Sequence, residues 1–235
     1  VITGKPNYPS GIINKKYKSC FPTTQNFKGI EILRLPIYPR KNASFINLLL
    51  NYISFVLSSI FFSFFIKKKF GEVFFVYATS PIFQAIPVII FGKILKIPVV
   101  LWVQDLWPHN LQDTGYVKNR FILKLINFFV NKIYILSDLV LCQSEDFLKE
   151  IKKKKHSKVK VFYNPSNYKF SYKLKKKKKI FDIYYTGNLG YGQNFSNIIK
   201  IFNDDEILKN NIRLIIYGSG KNFLKLKNKI KYQNL

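Results

Sequence analysis

An apolar run, Ile97–Val103, ends in Gln104-Asp105 and then Trp107-Pro108-His109. Such a run fits a buried strand of a parallel sheet, and ligands of open α/β sheets bind outside the carboxyl ends of the strands. Asp105 stands at that position and is one of only 12 acidic residues in 235. Two roles fit it: contact with a substrate, or N-cap of a following helix whose first turn would hold Pro108. One carboxylate could serve both. Trp107 and His109 are candidates for the same, acceptor, side.

A second constellation is Gly187-Asn188-Leu189-Gly190-Tyr191-Gly192-Gln193, between a strand pattern and a helix pattern. Free N–H groups and the dipole of a helix N-terminus bind phosphate, and glycines let the backbone come close. The spacing G-x-x-G-x-G is not the dinucleotide fingerprint, which disfavours an NAD-dependent oxidoreductase; a plain strand–helix turn would look similar. Gly218-Ser219-Gly220-Lys221 ends like a P-loop, but Ile215 and Asn222 stand where that motif needs Gly and Ser or Thr. His109 and His156 lack metal-ligand spacing, so no metal site is expected.

The elements that must position these residues alternate. Strand patterns cover Ile30–Leu35, Val73–Ala78, Ile97–Val103, Leu139–Gln143 and Lys158–Tyr163. Helix patterns lie between them: one from Thr79-Ser80-Pro81 to Lys96, one over Asn119–Leu136, and one capped by Ser144 and ending in lysines 152–155. This order predicts a parallel, doubly wound α/β domain over 1–165. Residues 166–180, with five successive lysines (Lys175–Lys179), read as a linker or surface loop. The pattern restarts over 181–235 with strand Phe181–Thr186, helix Asn194–Phe202, strand Ile212–Tyr217 and helix Asn222–Lys231. Two strand–helix units are few for an open sheet, and the chain has no methionine. The expectation is a piece of a larger protein, with both domains incomplete.

Net charge is +27, yet only Arg34, Arg40, Arg120 and Arg213 are arginines. Arginine suits bidentate base and phosphate recognition, so the lysine bias argues against nucleic acid and leaves anionic lipid or pyrophosphate as partners. Cys20 and Cys142 have no framework spacing, which fits a reducing cytosol. Phe45–Ile66 carries no charge. At 1.5 Å per residue it reaches about 33 Å, against a bilayer core of about 30 Å. However, Asn47, Asn51, Ser54 and Ser58 share one helical face, and a span would part the strands on either side. A core or membrane-surface helix is the favoured reading over a true span.

Val1–Gly11 (VITGKPNYPSG), Trp102–Pro108, Tyr185–Gln193 and Tyr217–Lys221, in this order, resemble the retaining glycosyltransferases of family 4. These have two Rossmann-type domains (the GT-B architecture), and the fucosamine and colanic-acid-type transferases of bacterial surface polysaccharide synthesis are the most similar. The resemblance implies a nucleotide-sugar donor, a UDP-sugar by preference, and a polyprenyl-pyrophosphate-linked acceptor. It also implies no cofactor, no obligatory metal, and a peripheral position on the cytoplasmic face of the plasma membrane. Carried onto this chain, Asp105 orients the acceptor, with Trp107 and His109 beside it. Gly187, Asn188, Gly190, Gln193, Gly218, Gly220 and Lys221 receive the donor. By this likeness a first strand with its glycine loop precedes Val1, and an E-x7-E segment follows Leu235, so the chain alone would be inactive. Asn188 and Gln193 replace cationic side chains common near the diphosphate. The competing reading is a non-catalytic basic protein that binds anionic lipid or nucleic acid.

Overall fold

The computed structural model describes residues 1–65, 71–109, 111, 117, 119–153, 158–166, 180–190, 193–202, 212–220 and 222–231. Most of the lysine-rich linker, His156, Lys67–Lys69 and Lys154-Lys155 lie outside the described residues. The chain divides into two compact units: Val1–Pro108 with Arg120–Asn164, and His109–Asn119 with Pro165–Leu235.

The first unit holds a parallel four-stranded sheet flanked by helices, a Rossmann-like α/β arrangement. Its strands are β4 (Phe74–Ala78), β5 (Val99–Val103), β6 (Leu139–Cys142) and β7 (Val159–Val161), side by side in that order. Three strands of a separate sheet precede them: β1 (Ile2–Gly4), β2 (Thr23–Phe27) and β3 (Ile30–Leu35). β3 pairs in parallel with β1 and antiparallel with β2. The helices are α1 (Phe45–Phe65), α2 (Ala85–Leu95), α3 (Arg120–Leu136) and α4 (Glu145–Lys152).

Alternate side chains of the parallel strands build the core. Val76, Ala78, Val99, Leu101, Val103, Val140 and Cys142 are buried. The intervening Phe75, Tyr77, Trp102 and Phe162 form an edge-to-face aromatic row on the other side. Each apolar side chain withdrawn from water contributes about 1.5–3 kcal/mol, and this sets the register. Ser144 caps α4, its Oγ accepting from the Phe147 N–H at 3.3 Å. Asp138 accepts from the Val99 N–H at 2.8 Å and so fixes the start of β5.

Several boundaries differ from the sequence patterns. The helix expected from Thr79 begins as a 3-10 turn, Ile82–Gln84, because Pro81 holds an extended conformation (φ −91°, ψ 150°) before it. α2 follows at Ala85 and ends on Lys96 in the left-handed region. β2 lacked the apolar alternation that reveals a strand. α1 is long and apolar enough to cross a membrane by length and composition.

The second unit contains β8 (Phe181–Asn188) and β9 (Ile212–Ser219) in parallel, with α5 (Phe195–Phe202) and α6 (Phe223–Lys231). Leu189, Phe195, Ile199 and Leu226 make its small core.

Candidate functional site

In the first unit polar residues collect where the parallel strands end, as expected of an open α/β sheet. Ser80 follows β4, Gln104 and Asp105 follow β5, Gln143 follows β6, and Asn164 comes shortly after β7. Ser80 Oγ donates to Asp105 Oδ2 at 2.8 Å, and Trp107 Nε1 donates to Ser80 Oγ at 3.2 Å. Asp105 is half-buried, and its second oxygen, Oδ1, accepts no bond among the described residues. Gln143 Nε2 donates to the Gln104 carbonyl at 2.7 Å, and Asn164 Nδ2 donates to Gln143 Oε1 at 2.8 Å. Gln104 Nε2 is buried with no hydrogen-bond partner among the described residues.

Trp107 is 4% exposed and packs edge-to-face on Phe83, at 5.5 Å between ring centroids. It orients Ser80 from within the core, whereas His109 is exposed and belongs to the second unit. Asn110, with the greater part of the segment that a cap at Asp105 would open, lies outside the described residues. Ser80, Gln143 and Asn164 escaped the sequence reading. Their signal was available: each is a polar residue just beyond an apolar strand.

A cavity of about 900 Å³ lies beside Ser80, lined by β1, β4, α1 and α2. β1 and β4 are edge strands of their sheets and turn those edges to it. Lys5, Asn7, Arg40 and Gln84 are among its polar lining residues. Lys5 is 2% exposed and donates to the carbonyls of Ser19 and Phe21, which pins the loop after β1. Burial pushes its ammonium below the ordinary lysine value.

In the second unit the two glycine motifs form one structure. β8 runs through Gly187 and Asn188, which pair in register with Gly218 and Ser219. The loop is therefore shorter than the sequence implied and starts at Leu189. Tyr191 and Gly192 lie outside the described residues, as does Lys221. Leu189 N–H donates to the Ser219 carbonyl at 2.8 Å, and Asn222 N–H to the Leu189 carbonyl at 3.0 Å. Tyr185 Oη donates to the Asn188 carbonyl at 2.9 Å while its ring packs on Phe195.

Close approach explains these glycines. A Cβ on Gly218 would stand 2.0 Å from the Gly187 carbonyl oxygen, and one on Gly220 would stand 2.6 Å from the Leu189 oxygen. Gly190 is less confined, since its neighbours are the side-chain ends of Gln193 and Asn188 at 2.9 and 3.2 Å. The Asn188 side chain thus lies between Gly190 and Gly220, while Gln193 is exposed. Among the described residues no group of three His, Cys, Asp or Glu could hold a metal ion. No protein-family model matches the chain, and no curated protein matches its sequence.

Proposed function

We propose that the chain is part of a retaining GT-B glycosyltransferase like those of family 4. In this reading it moves a sugar from a nucleotide-sugar donor to a polyprenyl-pyrophosphate-linked acceptor in bacterial surface polysaccharide synthesis. One observation carries the reading. A carboxylate with one oxygen held by Ser80, which itself lines a cavity, stands at the carboxyl end of a parallel sheet. In the reaction the bond from the sugar's anomeric carbon to the diphosphate breaks, and the nucleoside diphosphate leaves. A bond to the acceptor oxygen forms, and that oxygen's proton passes to the departing diphosphate. Asp105 Oδ1 accepts the acceptor hydroxyl's hydrogen bond and orients it. Gly190 and Gly220, just beyond β8 and β9, offer backbone amides to the diphosphate, where fixed dipoles favour the developing charge.

Isothermal calorimetry with UDP, a UDP-sugar, ADP and NAD tests this on the chain as it stands. Binding of the uridine nucleotides that weakens with a bulky residue at Gly190, more than with Lys221→Ala, supports the reading. Binding of NAD alone, or of nucleic acid with a steep salt dependence and no response to UDP-sugars, overturns it.

A further inference from the structure

Hydrogen bonds along the carboxyl ends of β4 to β7 fix the backbone of one residue and leave its side chain unspent. The Gln104 N–H donates to the Ala78 carbonyl at 3.0 Å, which carries the ladder one step past β5. Its carbonyl accepts from Gln143 Nε2 at 2.7 Å, and Asn164 Nδ2 holds Gln143 Oε1 at 2.8 Å. Residues at the ends of the neighbouring strands thus anchor Gln104, and its side chain leaves from a fixed point. Yet Gln104 Nε2 is buried with no partner among the described residues.

An unpaired buried donor costs free energy, and a fold retains one where something else satisfies it. Position sets Gln104 apart from other unpaired groups. The Ser58 and Ser59 hydroxyls and Asn131 Oδ1 lie along α1 and α3, whereas Gln104 stands where parallel sheets bind their ligands. Ser80 and Gln143 spend their side chains on neighbours. The end of the sheet leaves one acceptor, Asp105 Oδ1, and one donor, Gln104 Nε2, on successive residues. Gln104 as a whole is partly exposed, and the last torsion of a glutamine is loosely held, so a turn about it carries the amide outward.

Charge identifies the ligand. Ser80, Gln104, Asp105, Gln143 and Asn164 include no cation, in a chain where 39 of 235 residues are lysine or arginine. A carboxylate without a cation beside it repels phosphate. One donor and one acceptor on successive residues suit a neutral polyhydroxyl compound, whose oxygens play both parts. Successive residues of an extended chain point to opposite faces, so a sugar ring lying across the end of β5 meets both. The residues that the sequence placed beside Asp105 do not supply this donor: the Trp107 indole is spent on Ser80, and His109 belongs to the second unit.

We propose that Gln104 determines specificity for the acceptor sugar. Its Nε2 donates to a hydroxyl or carbonyl oxygen next to the hydroxyl that Asp105 Oδ1 accepts. Gln143 and Asn164 are positioning residues that act through the Gln104 backbone. A site built around a hydrogen-bond donor rejects a ligand that leaves the donor unpaired. The inference rests on the transferase reading for the identity of the sugar as the acceptor, whereas its assay reads sugar and nucleotide separately.

The test uses the chain as it stands. Methyl glycosides of glucose, galactose and N-acetylglucosamine are the probes in saturation-transfer NMR, with calorimetry of UDP and a UDP-sugar in parallel. Gln104→Met keeps the length of the side chain and removes the donor, and Gln104→Glu keeps the shape and puts an acceptor in its place. The unaltered chain is expected to bind at least one glycoside, and each variant to weaken that binding about tenfold or more, the loss of one good hydrogen bond, with UDP affinity unchanged. Gln104→Met should melt no lower than the unaltered chain, because no bond within the fold is lost; Gln143→Leu, which loses two, should melt lower. Three results would overturn the proposal: undiminished glycoside binding by Gln104→Met, a lower melting temperature for that variant, or no glycoside bound by the unaltered chain. Glycoside binding that both Gln104 variants lose, in a chain that takes up neither UDP nor UDP-sugar, would support the sugar contact and overturn the transferase reading alone.

Discussion

Asp105 is held by a short relay in which the indole of Trp107 orients Ser80, and Ser80 orients the carboxylate. The relay separates two roles that a substitution at Asp105 alone would confuse. Ser80→Ala removes the hydroxyl that bonds both the half-buried carboxylate and the buried indole. It should cost about 1–3 kcal/mol in urea unfolding, with a change in Trp107 fluorescence. Asp105→Asn keeps the volume and an acceptor oxygen for Ser80, so the fold should survive with a smaller loss. If Asp105 accepts a hydrogen bond from the reacting hydroxyl, the same substitution in a protein completed by the flanking segments that the resemblance implies should lower sugar transfer about 100-fold or more. Full turnover by a folded Asp105→Asn protein would reduce Asp105 to a structural residue. Asp105 was visible in the sequence because a carboxylate is rare here and followed an apolar run. Ser80 carried only the signal of a polar residue just beyond an apolar strand, and its link to Asp105 depends on β4 lying beside β5, a pairing of residues far apart in the chain.

At the scale of elements, the strands and helices most legible in sequence were those whose burial is one-sided and periodic. β5, β6, α3 and α4 follow their patterns closely, since a slip of one residue would turn valines and leucines out of the core. Boundaries set by backbone geometry were less legible. β8 and β9 run on through Gly187 and Gly218, where the glycine pattern had suggested that the strand stops. The glycines permit two backbones to approach, which looks in sequence like a loop motif. Substitutions should separate the two meanings. Gly218→Ala must push β8 and β9 apart, because the new methyl meets a backbone oxygen; a loss of about 1–3 kcal/mol is expected. Gly190→Ala meets only side-chain ends that can turn aside, and its loss should be under about 1 kcal/mol. Chemical denaturation of both variants measures this. Equal losses would mean that the Gly190 turn is as tightly packed as the strand pair.

Across the whole molecule the dominant quantity is charge: 39 lysines and arginines against 12 acidic residues. Among the described residues, four of the acidic ones pair locally. Asp138 fixes the start of β5 and meets Lys93, Asp146 and Glu150 pair within α4 and its C-cap, and Asp182 pairs with Arg213. Exposed pairs of this kind contribute about 0–1 kcal/mol each, and salt removes only that. The remaining cations repel one another, and a large net charge destabilises the compact state. Screening shortens from about 10 Å at 0.1 M to about 3 Å at 1 M ionic strength, so added salt relieves long-range repulsion before it weakens close contacts. The melting temperature should therefore rise as sodium chloride is added at neutral pH. Choline chloride should give the same rise at equal ionic strength, because the effect is screening and not cation binding. A fall in melting temperature would show that the local pairs outweigh the repulsion, and that the lysines are spread widely enough to ignore one another.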